Sequence, residues 1–153
     1  MSDAAVVRLL LFRVGSLVCA ADVDTVREIL PRLETTRIPG AMPFVSGLVN
    51  VRGQLVTVVE GWRALGQPEP DGVGEGGGGG GTTVLLQVGG GRKVIGLTVD
   101  EVVDLLSLEA DALERRQALA GVDPMLVRAV GRRGGQLFVV LDTDALLAPI
   151  LTS

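Results

Sequence analysis

The apolar positions of this chain come in short runs divided by glycine, and most runs have the length of a strand. Residues 6–14 (VVRLLLFRV) and 17–21 (LVCAA) flank Gly15-Ser16, the pattern of a hairpin around a tight turn. The next stretch, DVDTVREIL at 22–30, predicts a helix: Asp22 or Asp24 can cap it, and Val23, Val26 and Leu30 fall on one face. Pro31 would end it after about two turns. Pro39 and Pro43 bracket a loop, and residues 45–60 give two more strands hinged at Asn50 to Gly53. A further strand pair, 82–88 and 93–99, surrounds Gly89-Gly90-Gly91, and DEVVDLL at 100–106 predicts a second short amphipathic helix. DTDALLAPIL at 142–151 reads as a capped helix, weakened near Pro149.

These elements repeat. CAADVDTVREIL (19–30) lies over IGLTVDEVVDLL (95–106), so that Asp24 falls on Asp100, Val26 on Val102, Glu28 on Asp104 and Leu30 on Leu106. GQLVTVVE (53–60) lies over GQLFVVLD (135–142). The chain therefore divides into two similar halves, 1–65 and 82–153, joined by the low-complexity segment 66–81 (GQPEPDGVGEGGGGGG), which predicts a flexible linker. Two small β-barrels are the natural way for such halves to bury their apolar faces without long free edges.

Composition narrows the chemistry. The chain has 153 residues, 47% hydrophobic and only 3% aromatic, so the core is aliphatic and suits strands. It has no histidine or tyrosine and a single cysteine, Cys19, set in an apolar run. That removes the usual neutral-pH base, histidine-bearing triads and zinc sites, and any internal disulfide. Net charge is −4 with no basic block, which argues against nucleic acid as a partner. No basic segment precedes the first apolar stretch, and charged residues interrupt every apolar run, so neither a signal peptide nor direct membrane insertion is expected.

GVGEGG at 72–77 matches GxGxxG, but a strand pattern follows it instead of a helix, so it predicts no phosphate site. The acidic pairs Asp22/Asp24 and Asp100/Asp104 are explained as helix caps and solvated faces. The residues thus describe a two-barrel binding module with no cofactor and no evident catalysis. Val26, Val99, Val102 and Leu105 belong either to the core or to a docking strip for a partner's helix or hairpin.

A resemblance then enters. FRVG at 12–15, VREI at 26–29, TRIPGAMPFVSGLVNVRG at 36–53, IGLTVDEV at 95–102 and QLFVVLD at 136–142 resemble the CheW family of chemotaxis coupling proteins, over nearly the whole chain outside the glycine run. The resemblance implies a mainly β fold of two SH3-like five-stranded barrels with short helices and a C-terminal helix. It implies a non-enzymatic cytoplasmic adaptor, located in chemosensory arrays, that couples methyl-accepting chemotaxis receptors to a CheA-type histidine kinase, with other CheW-like proteins as further partners. Matched residue by residue, Arg52, Val84, Val99, Val102 and Leu105 correspond to the receptor side, in a groove between the barrels. Val26, Glu28 and Gly47 correspond to the kinase side.

Cys19-Ala20-Ala21 and Thr57 to Arg63 depart from the family's usual residues, which raises the alternative of an accessory member that binds receptors but contacts the kinase weakly or not at all. Arg52 carries one further expectation. The strand after its turn recurs in the second half while Asn50-Val51-Arg52 has no match in Arg132-Arg133-Gly134, which leaves Arg52 free to touch a partner.

Overall fold

The computed structural model describes residues 5–68, 81–115 and 121–151; most of the glycine-rich segment, 69–80, lies outside them. Eleven strands are described: β1 (Val6–Val14), β2 (Leu17–Asp22), β3 (Val26–Pro31), β4 (Val45–Val51), β5 (Gln54–Glu60), β6 (Thr82–Val88), β7 (Lys93–Val99), β8 (Glu101–Glu109), the two-residue β9 (Glu114–Arg115), β10 (Val127–Arg133) and β11 (Gln136–Leu141). A one-turn helix α1 (Gly61–Ala64) follows β5, and α2 (Thr143–Leu151) follows β11, capped by the Asp142 carboxylate, which accepts from Ala145 N–H at 3.0 Å.

Both short helices expected after the hairpins are strands. Asp22 caps only a single 3₁₀ turn, Val23–Thr25, and Val26–Pro31 then runs extended along β6. Glu101–Glu109 likewise runs along β1. The apolar spacing that suggested a helix at 22–30 also fits alternation, since Val26, Glu28 and Leu30 share the less exposed face of β3. Its β-branched residues favour the pleat, and pairing with the open edge of β6 decides the outcome. Pro31 closes the strand at a sheet edge, where its missing N–H costs nothing.

One sheet has the order β3-β6-β7-β5-β4 and the other β8-β1-β2-β11-β10, extended by β9. These are the same arrangement twice. The parallel pairing of β5 with β7 joins Thr57 to Ile95 and Val58 to Gly96, and that of β11 with β2 joins Val139 to Cys19 and Val140 to Ala20. The sequence repeat predicts each of these matches. Even the bulges correspond: the ladder slips at Arg27 in one sheet and at Val103 in the other.

The sheets, however, do not divide the chain at 66–81. The five-stranded barrel is built from residues 26–99, and the second barrel joins β1 and β2 from the beginning of the chain to β8–β11 from its end. The five-stranded barrel takes β3, β4 and β5 from the first half and β6 and β7 from the second, and the other barrel takes β1 and β2 from the first half and β8–β11 from the second, so the expected halves 1–65 and 82–153 do not coincide with the barrels.

The central strands are buried on both faces, and this explains their unbroken apolar runs. Along β1, Leu9 and Leu11 join Ala20, Phe138 and Val140 in one cluster inside the second barrel. The alternate residues Leu10, Phe12 and Val14 belong to a larger cluster with Cys19, Val59, Val84, Leu86, Ile95, Leu97 and Leu147, which draws on both barrels and on α2. A shared core thus lies between the barrels, and it is larger than the second barrel's own interior cluster.

The inside of the five-stranded barrel is smaller. Thr83, Val58 and Leu85 converge on Gly96, where an added Cβ would press on all three. Thr83 stands where the other barrel has Leu9, fully buried, and its hydroxyl has no hydrogen-bond partner among the described residues. An unmet buried hydroxyl costs about 1–3 kcal/mol. Thr83→Val, which keeps the shape and removes the hydroxyl, should raise stability by about 1 kcal/mol. Urea titration followed by the fluorescence of Trp62, the single tryptophan, measures it.

Candidate functional site

Residues 51–54 form a two-residue hairpin turn, with Val51 paired to Gln54 across it. Arg52 (φ 50°) and Gly53 (φ 86°) both take the left-handed conformation that such turns require. The Asn50 side chain accepts from Gly53 N–H at 2.7 Å and holds the turn. Among the described residues Arg52 is the only non-glycine in that conformation. The equivalent turn has Gly134 (φ 55°) and Gly135 (φ 82°) instead. A side chain at such a position costs about 1–2 kcal/mol, so the fold alone would favour glycine at 52.

The arginine side chain is engaged. Arg52 Nη1 donates to Glu28 Oε2 at 3.1 Å and Nη2 donates to Glu28 Oε1, a two-pronged ion pair in which Arg52 is 68% exposed. Glu28 lies on the edge strand β3 and Arg52 on the turn joining β5 to the opposite edge strand β4, so the pair closes the seam of the five-stranded barrel. The Arg52 guanidinium holds the Glu28 carboxyl below the usual carboxylate range, and Arg27 adds to the effect.

The second barrel has an equivalent pair. Arg133 Nε donates to Asp104 Oδ2 at 2.8 Å, and Asp104 is the residue that the repeat sets over Glu28. The expectation that Arg52 has no counterpart and stands free is therefore corrected. Its partner role is reproduced from the adjacent position in the turn, a shift that residue-for-residue matching does not register. Beside each acid stands an exposed aliphatic residue, Ile29 on β3 and Leu105 on β8. The molecule thus carries two similar faces, one per barrel.

Other residues singled out in the sequence fall elsewhere. Val84 (0% exposed) and Val99 (4%) lie in the shared core, so their side chains pack the two barrels together and offer no surface. Val26 and Val102 are half-buried against the same core, while Leu105 is 66% exposed. Gly47 is fixed from within: a Cβ there would run into the Thr36 carbonyl, where Thr36 and Leu48 exchange backbone hydrogen bonds of 2.8 Å in each direction. Glu28 and Arg52, expected on different partners' sides, are bonded to each other. Sequence reasoning passed over Arg27 and Arg133, although the repeat already set Asp104 over Glu28. Among the described residues no cluster of acids and thiol could hold a metal, and no helix is long and apolar enough to cross a membrane.

The model of the CheW-like domain matches residues 8–150. The chain belongs to the CheW family. Chemotaxis protein CheW of Klebsiella aerogenes is 26% identical over 140 residues, which cover 91% of this chain and 80% of that protein. Its Bacillus subtilis namesake is 24% identical over 143 residues, covering 92% and 86%. The crystal structure of the scaffolding protein TtCheW from Thermoanaerobacter tengcongensis superimposes with a TM-score of 0.81 at 17% identity, covering 94% of this chain and 93% of that one, so the fold is that of two SH3-like barrels.

The departures from the family's usual residues have an internal explanation. Cys19, Ala20 and Ala21 are fully buried, as are Val58 and Val59. Glu60 lies partly buried, accepts from Thr98 Oγ1 at 2.8 Å and pairs with Arg32 at 3.1 Å. Gly61 is required because a Cβ would strike the Thr98 carbonyl. Burial also pushes the Cys19 thiol far above its ordinary range, which keeps it protonated and unreactive.

Glu28 gives a pH-dependent prediction. Because its pKa is lowered on folding, its contribution to stability is present above the ordinary carboxylate range and is lost as pH falls through the lowered value. Carboxyl NMR titration should find the Glu28 midpoint below that of an unperturbed glutamate, and Arg52→Ala should return it toward the unperturbed position.

Proposed function

We propose that this protein is a non-enzymatic adaptor of a cytoplasmic chemosensory array, joining the tips of methyl-accepting receptors to a CheA-type histidine kinase. The observation that carries the reading is the pair of equivalent exposed faces on a single body, in a chain that matches the CheW-like domain over residues 8–150. The chain has no histidine to phosphorylate, so phosphoryl chemistry belongs to the kinase. The adaptor's contribution is binding energy: it holds receptor and kinase in a geometry where the state of one biases the other.

The kinase's regulatory domain docks on the five-stranded barrel, against Glu28, Arg52 and the adjoining part of β3 at Val26. Arg52 moves to the kinase side because its side chain is bonded to Glu28. The receptor hairpin docks along β8, where Leu105 is exposed beside half-buried Val102. Val84, Val99 and Gly47 support both faces from inside. Other CheW-like proteins are further candidates for either face. The accessory alternative rests on residues that are mostly buried, and no observation favours it.

Calorimetry with the cognate kinase's regulatory domain and a receptor-tip fragment separates the faces. Glu28→Arg should weaken kinase binding by about tenfold or more and leave receptor binding intact, and Leu105→Asp should do the reverse. Trp62 emission checks that both variants are folded. Full-strength binding of both partners by both variants would contradict the reading.

A further inference from the structure

The ends of the two barrels that carry the ion pairs differ in one respect. At the end of the second barrel, the hollow between Val103, Arg133, Gln136 and Phe138 is about 20 Å³. At the matching end of the five-stranded barrel, the hollow among Arg27, Glu28, Arg52 and Gln54 is about 200 Å³. Two exchanges account for the difference. Val56 stands where the second barrel has Phe138, leaving the barrel mouth open above Leu85. Arg27 stands where the second barrel has Val103, so the rim there is a cation.

Two irregularities of the backbone bring guanidinium groups to this mouth. Arg27 is the extra residue of the bulge in β3, and bulges re-aim side chains. Arg52 keeps the left-handed turn position that its counterpart gives to glycine. Two arginines therefore line the mouth against a single carboxylate, Glu28, which is bonded to Arg52. Arg27 is exposed, and the mouth carries one positive charge in excess.

We propose that the mouth of the five-stranded barrel is a socket for one acidic side chain of the docked kinase, with Arg27 as its principal ligand and Arg52 shared with Glu28. This rests on the kinase reading of that face and goes beyond it, since it names the chemistry the face selects. The aliphatic floor at Val56 and Leu85 packs the stem of the incoming glutamate or aspartate, and the guanidinium groups bind its carboxylate. The matching end of the second barrel has neither the space nor the second cation, which makes the two faces non-interchangeable.

The test uses full-length protein and the kinase's regulatory domain, with affinity measured at low and high salt. Arg27→Glu should weaken binding by about tenfold or more, Arg27→Ala less, and Arg27→Ala should flatten the salt dependence, while receptor binding stays unchanged. Arg27 is exposed, and Trp62 emission verifies that the fold is kept. Normal kinase binding by Arg27→Glu, with Glu28→Arg still defective, would overturn the socket and leave the kinase face standing. Normal binding by both variants would overturn the two together.

Discussion

The apolar layer between the barrels is the constraint on which everything else in this structure depends. Strands β1, β2, β6, β7, β5 and β11 each have two faces to bury, one toward the inside of a barrel and one toward the other barrel. Neither barrel could stand alone without exposing Leu10, Phe12, Leu86 or Leu97 to water, at about 1.5–3 kcal/mol for each such side chain. The exchange of strands strengthens the dependence. In sequence, barrel 26–99 is inserted between the strands of the second barrel, which come from both sides of it. Two exposed faces held by one core keep a fixed distance and orientation to each other.

The ion pairs follow from the same architecture. A sheet curled into a barrel leaves a seam, and in each barrel an arginine at or beside the turn of one hairpin, β4–β5 or β10–β11, reaches across to an acid on the edge strand β3 or β8. Being exposed, these pairs contribute little to stability. Their value lies in position, since they fix charge on one exposed end of each barrel. The left-handed backbone at Arg52 sharpens the contrast, because the fold tolerates glycine there in its other copy and keeps arginine in this one.

Much of the architecture was legible in the sequence. The repeat of CAADVDTVREIL in IGLTVDEVVDLL, and of GQLVTVVE in GQLFVVLD, predicts two equivalent barrels down to their register. What it could not reveal is which strands share a barrel, because the same equivalences arise whether the halves fold separately or exchange. The two misread helices have a related cause. Val26 and Leu30, four residues apart, satisfy both periodicities, and only the vacant edge of a strand nearly sixty residues away selects one. The candidate site was half legible. Arg52 and Leu105 are exposed and Glu28 is half-buried, whereas Val84 and Val99 hold the barrels together, a role that an apolar residue in an apolar run cannot announce.

Native-state hydrogen exchange on the Leu86→Ala variant tests the shared core most directly, since Leu86 lies on the five-stranded barrel and faces the second. The amides of β1, β2 and β11 should lose as much protection as those of β5, β6 and β7, by about 2–5 kcal/mol in both groups. Loss confined to β5, β6 and β7, with β1, β2 and β11 still fully protected, would mean that the barrels are separate units and that the shared core does not unite them.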